Sequence, residues 1–338
     1  MLPILRLIRF SNAPTVVGDI LAGFLLASAG AFDWLPWPLV IALCLIACSA
    51  CLYSWGMALN DLNDYEQDRR NGSQRPLVTG DVSHRFANGL AAGLLGLGIL
   101  FLITACILDR QAMLHSEGIG NRIMGCWLVF AILVGCIWLY DGPAKQTPLA
   151  PFGMGCCRGA NLLLGATLPV SPEATSVFQL PADVWICVAA MVLYISGVTW
   201  IARKEEAGGH RRLLLLGTIL ILAGYGLLAF GLPWWGGELG FRSIGMLQER
   251  SEASQLASWL WPLSVLLIGF PVLRRASVAL LHPTPGTIKL AVIAALGNLV
   301  FIDGLICLYA APEMWWTALL VAGMIIPITF LKRTIPPT

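Results

Sequence analysis

The chain has 338 residues, of which only 12% are charged and 57% are hydrophobic, and its mean hydropathy is +0.77. A soluble domain carries about 25% charged residues, so a water-soluble fold of this composition would expose large apolar patches. The composition therefore excludes an ordinary soluble enzyme, a disordered chain and a nucleic-acid-binding protein. It predicts a protein whose solvent is largely lipid.

Ten apolar runs follow one another along the chain, and each is longer than a strand of a transmembrane barrel. We therefore predict an all-α, polytopic membrane protein with a single domain over residues 1–338, a core over 1–311 and an additional helix over 314–331. The runs cover residues 14–32, 38–59, 87–108, 123–140, 149–169, 183–202, 213–233, 258–273, 288–311 and 314–331.

Basic residues are distributed unevenly between the segments that connect the runs. With the N-terminus placed inside, 17 of the 21 basic residues fall in inside segments and the other four fall in outside loops. Cytoplasmic loops are enriched in Lys and Arg. We therefore predict an integral membrane protein with both termini in the cytoplasm, and the turns after the even-numbered runs then share the basic face.

A group of acidic residues follows the second run, in the stretch NDLNDYEQD over residues 60–68. Asp61, Asp64 and Asp68 are spaced i, i+3, i+7, so on a helix they would share one face and repel one another unless a cation neutralised them. Mg²⁺ prefers carboxylates together with phosphate oxygens, and the nearby Arg69 and Arg75 are suited to bind the remaining phosphate oxygens. The pattern predicts a site for Mg²⁺ and a diphosphate, and the alternative is a solvated charged loop.

This pattern, NDxxDxxxD at the end of the second apolar run, resembles the first aspartate-rich motif of the UbiA superfamily of intramembrane prenyltransferases. The resemblance implies a bundle of nine transmembrane helices around a central cavity, with the run at 314–331 as an extra C-terminal helix. It also implies a reaction, in which a prenyl group passes from a polyprenyl diphosphate to a small aromatic or lipophilic acceptor within the membrane and diphosphate is released.

The resemblance also assigns roles to residues and implies Mg²⁺ as the cofactor. The metal ligands, which are also the catalytic residues, would be Asp61, Asp64 and Asp68. The residues that bind the diphosphate would be Asn60, Arg69, Arg75, Lys145 and Arg158. The expected partners are a prenyl diphosphate, a lipophilic acceptor and the lipid bilayer, and neither a nucleic acid nor a protein partner is expected.

Further positions match the family one by one and are candidates for lining the cavity. Asn12 matches a polar position at the start of the first helix, and its alternative role is that of a helix N-cap. Tyr140 and Lys145 resemble the family's YxxxK pattern with one extra residue between them, and Lys145 could instead be a surface lysine that sets topology. Arg158 and Asn161 lie in the fifth run, where a charged side chain usually faces a cavity or a partner.

In this chain, the segment that corresponds to the family's second aspartate-rich motif contains no aspartate. The segment after the sixth run offers Glu205 and Glu206, which are neighbours and do not share a helix face. A two-metal site with glutamate, a one-metal site and a site with altered chemistry all stay open. The stretches over 139–149 and 157–162 resemble, more narrowly, the EboC-like branch of the superfamily, which is bacterial and predicts an inner-membrane location.

Two acidic residues lie inside apolar runs, Asp19 in the first and Asp303 in the ninth. An acid within the membrane is a candidate functional group, and the alternatives are a catalytic base or hydrogen bonding between helices. Two other functions also stay open for the whole chain: a membrane transporter, and a non-catalytic membrane subunit derived from the prenyltransferase fold.

Overall fold

The computed structural model describes residues 2–28, 36–112, 119–168, 176–203, 211–235 and 251–335, which form helices and turns without any β-strand. The helices of the first half are α1 (Leu2–Leu7), α2 (Thr15–Ala27), α3 (Pro36–Arg70), α4 (Pro76–Thr79), α5 (His84–Ala112), α6 (Ile119–Asp141) and α7 (Ala150–Gly165). Those of the second half are α8 (Ala182–Ala202), α9 (Arg211–Gly226), α10 (Leu232–Trp235), α11 (Ser251–Leu281), α12 (Pro285–Ala310), α13 (Trp315–Gly323) and α14 (Ile325–Thr334).

Short irregular helices complete these elements. A 3-10 turn at Phe10–Asn12 precedes α2, and a π-helical turn at Leu227–Gly231 joins α9 to α10. Two further 3-10 turns lie at Val177–Gln179 and Pro312–Met314.

Nine helical segments of the described residues are long and apolar enough to cross a membrane. The helix α7 has only 16 residues, about 24 Å at 1.5 Å per residue, which is less than the ~30 Å of a hydrocarbon core. The helix that forms within the predicted run at 149–169 is therefore too short for a full crossing. With α7 included there are nine core helices and one C-terminal segment, which confirms the predicted all-α bundle.

The short helices α2 and α7 pack closely at the centre of the bundle. A Cβ atom on Gly23 would overlap the carbonyl oxygen of Leu162, and one on Gly165 would overlap the backbone of Ile20. Small residues let membrane helices approach in this way and gain van der Waals contact. The contact fixes α2 and α7 side by side, with α3 and α12 also packed on α2.

Large apolar side chains on the outward faces are exposed, among them Leu267 on α11 and Ile326 on α14, which are 75% and 72% accessible. In lipid this exposure is favourable, and the helical backbone satisfies its own hydrogen bonds. The outward faces of the bundle therefore suit a bilayer.

The C-terminal run is divided into two helices. The sequence predicts one helix over 314–331, whereas α13 ends at Gly323 and α14 begins at Ile325. The helix α13 packs on α12, and α14 packs against the 3-10 turn at Phe10–Asn12. The end of the described chain thus returns to its beginning.

Candidate active site

The acidic motif lies on the last turns of α3. The predicted apolar run ends at residue 59, but the helix continues to Arg70, so Asp61, Asp64 and Asp68 share one helical face as their spacing predicts. Asp61 is only 1% exposed, whereas the other two aspartates are half-buried.

The chain turns back immediately after α3. Gly72 has a φ of 65°, which is a conformation that glycine adopts without a steric penalty. Its N–H donates to the carbonyl of Arg69 at 3.3 Å, and the N–H of Ser73 donates to the carbonyl of Asp68 at 3.0 Å. These two bonds form a Schellman motif. The motif brings Arg75 back over the acidic face of α3.

The guanidinium of Arg75 lies among the three carboxylates. Its Nη1 atom is 2.5 Å from Asp68 Oδ2, 3.3 Å from Asp64 Oδ2 and 3.3 Å from Asp61 Oδ1. Burial alone would lower the pKa of this guanidinium, but the three carboxylates outweigh burial and raise its pKa above the ordinary value. A positive charge is therefore held where the aspartates converge.

A second cation comes from the turn after α6. The Lys145 ammonium donates to Asn60 Oδ1 at 2.7 Å and also to the carboxylate of Asp64. This turn is held against α3 because Asn63 Nδ2 donates to the carbonyl of Asp141 at 3.0 Å. We call the following residues the cap cluster: Asp61, Asp64, Asp68, Arg75 and Lys145.

Arg9 reaches the cap cluster from a third direction. Its φ of 45° and ψ of 47° are left-handed, and among the described residues no other non-glycine residue has a positive φ. This conformation costs of order 1–2 kcal/mol for a residue with a Cβ. Its Nη2 atom is 3.5 Å from Asp61 Oδ1. The sequence interpretation counted Arg9 only for topology, because no pattern in the sequence signals this backbone conformation.

A largely apolar cavity of about 400 Å³ adjoins the cap cluster, and Arg9 and Asp141 lie in its wall. The wall is built from α2, α3, α6, α7, α8, α12 and α14, so the cavity occupies the centre of the bundle. Its apolar residues include Leu52, Leu133, Ile137, Ile195, Val198, Val292 and Leu296. The predicted candidates in its lining are Asn12, Tyr140, Arg158 and Asn161.

A second group of charged and polar residues lies deeper among the helices. Arg158 Nη1 is 2.8 Å from Asp19 Oδ2, and Asn161 Nδ2 donates to the same oxygen at 2.8 Å. Ser49 donates to Asn161 Oδ1 at 2.6 Å. The carboxyl groups of Asp19 and Asp303 touch each other, and both residues are fully buried. We call these residues, which join α2, α3, α7 and α12, the core network: Asp19, Ser49, Arg158, Asn161 and Asp303.

The two intramembrane acids do not lie in the wall of the cavity. Asp19 contacts Arg158 and Asn161 of α7, and Asp303 of α12 lies against Asp19 of α2. This arrangement favours hydrogen bonding between helices over the alternative of a catalytic base.

The donor set of the cap cluster fits a divalent cation. Neither oxygen of the buried Asp61 carboxylate accepts a well-directed hydrogen bond from a described residue, although the guanidinium groups of Arg75 and Arg9 lie 3.3 and 3.5 Å away. Within the described ranges, no three Asp, Glu, His or Cys side chains lie close enough to bind a metal by themselves. Mg²⁺ usually takes one or two carboxylates, waters and substrate phosphates. The cluster therefore fits Mg²⁺ that binds together with a diphosphate.

Some predicted residues are placed elsewhere. Arg69 is exposed and joins none of the ion pairs found in the described part of the chain. Glu205 and Glu206 lie outside the described residues. The alternative role of Asn12 as an N-cap is wrong, because Pro14 precedes α2 and no side chain caps it.

Two charged cavity residues besides Arg9 were missed as site residues. Asp141 ends α6, and Lys332 lies on α14. Asp141 directly follows Tyr140, which the sequence predicts as a cavity-lining residue, so this adjacency could have identified Asp141 as a site residue. Lys332 was counted only as a basic residue near the C-terminus, and no local pattern distinguishes it from the neighbouring Arg333.

The model of the UbiA prenyltransferase family matches residues 16–247 of the chain. Digeranylgeranylglyceryl phosphate synthase of Metallosphaera sedula is 34% identical over 160 residues, which are 43% of this chain and 55% of that protein. Protoheme IX farnesyltransferase of Geobacter sulfurreducens is 26% identical over 238 residues, which are 69% of this chain and 77% of that protein. This chain therefore spans about half the length of the first relative.

A solved structure shares the fold over nearly the whole chain. It is a UbiA homolog from Archaeoglobus fulgidus bound to GPP and Mg²⁺, with a TM-score of 0.54 at 16% sequence identity. The match covers 95% of this chain and 99% of the homolog.

Proposed function

Because this chain belongs to the UbiA prenyltransferase family, we propose that it transfers a prenyl group from a prenyl diphosphate to a lipophilic acceptor and releases diphosphate. The main observation in support of this proposal is that a charged cluster and an apolar cavity lie side by side. A cluster of carboxylates and cations lies at one end of the bundle, and an apolar cavity opens directly beside it. A diphosphate head and an isoprenoid tail need these two surroundings.

Three aspartates of the cap cluster would hold Mg²⁺ against the diphosphate: Asp61, Asp64 and Asp68. When bound, the metal would stabilise the charge that develops on the leaving diphosphate. Support comes from the buried Asp61 carboxylate, which lacks a well-directed hydrogen bond from the described residues, and from the homolog bound to GPP and Mg²⁺.

The cations around the aspartates would bind the diphosphate directly. Lys145 and Arg75 now pair with carboxylates of α3. Arg75 has further N–H donors for phosphate oxygens, and Lys145 would exchange an acceptor on α3 for one on the diphosphate. Arg9 lies at the boundary between the cluster and the cavity. Charged donors that act on the leaving group lower the barrier to breaking the allylic C–O bond, because the charge on the diphosphate grows in the transition state.

The apolar wall of the cavity would protect the allylic cation from water. Leu133 and Ile137 of α6 face this space together with Ile195 and Val198 of α8. Exclusion of water prevents hydrolysis of a reactive intermediate, so the cation would persist until the acceptor attacks C1 and loses a proton.

We also propose that the cap cluster faces the cytoplasm. The distribution of the basic residues supports this orientation, since 17 of 21 fall in the segments that it would place in the cytoplasm.

The test compares two neighbouring acids of α3 in the full-length protein. Asp64→Asn removes a carboxylate of the cap cluster, whereas Glu66→Gln makes the same change in charge at an exposed position. Membranes are incubated with radiolabelled GPP, Mg²⁺ and a panel of phenols and glyceryl ethers, and diphosphate release and prenylated products are measured. We expect Asp64→Asn to lower turnover about 100- to 1,000-fold, and EDTA to abolish turnover in every variant.

Equal turnover in the two variants would overturn the assignment of the aspartates. GPP flux across proteoliposomes without any diphosphate release would favour a transporter instead.

A further inference from the structure

Lys332 directs its side chain toward the central cavity. It is half-buried and follows Ile328 by one helical turn, and both residues lie in the cavity wall. Ile328 is buried, whereas the next residue, Arg333, is exposed. Since residues i and i+4 share a helix face, α14 presents this face inward, next to the 3-10 turn at Phe10–Asn12.

Lys332 differs from the other cations of the cavity wall in its charge environment. Arg9 pairs with Asp61, and Arg158 pairs with Asp19. Lys332 takes part in no ion pair among the residues that the structure describes. A partly buried charge without a counter-charge is costly, so an anion that enters the cavity would be bound favourably here.

The surroundings of Lys332 indicate what kind of anion this is. The cavity wall to which Lys332 belongs also includes the apolar Ile328, Val292 and Leu296, which suit a lipophilic molecule. The diphosphate already has cations of its own in the cap cluster. Lys332 also lies beyond the residues that match the family model, 16–247.

We propose that Lys332 binds the anionic group, a carboxylate or a phosphate, of the lipophilic acceptor. The proposal rests on the proposed function, because it assigns the diphosphate to the cap cluster and leaves Lys332 for the second substrate.

The experiment measures binding in nanodiscs of uncharged phosphatidylcholine. Each probe pair differs only in the anionic group: 4-hydroxybenzoate against its methyl ester, and 1-O-hexadecylglycerol 3-phosphate against 1-O-hexadecylglycerol. Dissociation constants are compared for the wild type, Lys332→Met, Lys332→Arg and Arg333→Met. Arg333 is the matched control, because it loses the same charge at an exposed position of the same helical turn.

We expect the wild type to bind the anionic member of one pair about tenfold or more tightly than the neutral member, since a charge-assisted hydrogen bond is worth that much. The pair that shows the preference identifies a carboxylate or a phosphate. Lys332→Met should abolish the preference, whereas Lys332→Arg and Arg333→Met should keep it.

Three results would overturn the proposal: a wild type without preference in either pair, an unchanged preference in Lys332→Met, or a loss of GPP affinity in Lys332→Met, which would make Lys332 a diphosphate ligand. Mg²⁺-dependent GPP binding is measured separately in the wild type. The absence of Mg²⁺-dependent GPP binding would refute the proposed function. The comparison of the acceptor probes would still test the role of Lys332 independently.

Discussion

The cap cluster and the core network both pair aspartate with arginine, but in different surroundings. In the cap cluster, the side chains of Arg75 and Lys145 remain 19% and 30% exposed. In the core network, Asp19 is fully buried and the side chain of Arg158 is 13% exposed. Ion pairs near water contribute little and are easily exchanged, whereas a buried pair cannot lose one member cheaply. The first arrangement suits a site that binds a charged substrate, and the second suits a joint between helices.

The two regions also differ in how the chain assembles them. Most of the cap cluster comes from one helix end and the turn that follows it, within residues 61–75. The core network joins residues as distant in sequence as Asp19 and Asp303. A comparison of substitutions in the two regions can separate binding from structure.

The largest effect is expected from removing the cation of the core network. Arg158→Met leaves the Asp19 carboxylate buried without its partner, so the free energy of unfolding should fall by about 3–5 kcal/mol. Unfolding by SDS from mixed micelles measures the change, and Arg274→Met, at an exposed arginine of α11, is the control.

A second substitution tests the cause. Asp19→Asn in the Arg158→Met background removes the unpaired charge and should recover most of the lost stability. A double variant that is as unstable as Arg158→Met would show that packing, not charge, connects these helices.

The corresponding change in the cap cluster should be smaller and reversible by metal. Arg75→Met removes a partly exposed cation, so we expect a loss of about 1–2 kcal/mol in EDTA. Mg²⁺ should restore this loss, because a divalent cation neutralises the same carboxylates, and it should have no effect on Arg158→Met. The measurement is the unfolding free energy at increasing Mg²⁺, with the exposed Arg70→Met as control.

If Mg²⁺ stabilises the wild type and Arg75→Met equally, the guanidinium and the metal do not compete for the aspartates. The cap cluster would then not differ from the core network in how its stability responds to Mg²⁺.

A smaller effect is expected at the second acid of the core network. One guanidinium balances one carboxylate, so two touching carboxyl groups beside Arg158 need to share a proton. Asp303→Asn keeps a hydrogen-bonding side chain of the same shape and should change the free energy of unfolding by about 1 kcal/mol or less. Asp19→Asn, which leaves Arg158 without its counter-charge, should cost several times more. Similar losses in the two variants would contradict the assignment of the negative charge to Asp19, the acid that contacts Arg158.

The cap cluster could be predicted from sequence because its main determinants are local. The spacing of Asp61, Asp64 and Asp68 already specifies a common helical face. The helices could be predicted from the apolar runs, since a lipid solvent requires about 20 apolar residues for each crossing.

Other features depend on tertiary contacts that leave no local pattern. Hydropathy does not predict that the C-terminal run is divided into α13 and α14, nor that α14 lines the cavity. Arg9 and Lys332 were interpreted as two of many basic residues at the membrane surface. Counting basic residues for topology treats them as equivalent, whereas the structure distinguishes Arg9, which pairs with Asp61, from Lys332, which joins no ion pair among the described residues.

A similarly small change in stability is expected at Arg9, which connects the cap cluster to the cavity. Its left-handed backbone favours glycine, so Arg9→Gly removes both a strain and a charge, whereas Arg9→Ala removes the charge alone. We expect Arg9→Gly to be about 1 kcal/mol more stable than Arg9→Ala, while both raise the KM for prenyl diphosphate about tenfold. Equal stability would show that the backbone is not strained. A rise in KM for Arg9→Ala alone would mean that strain, rather than the guanidinium, positions Asp61 for the diphosphate.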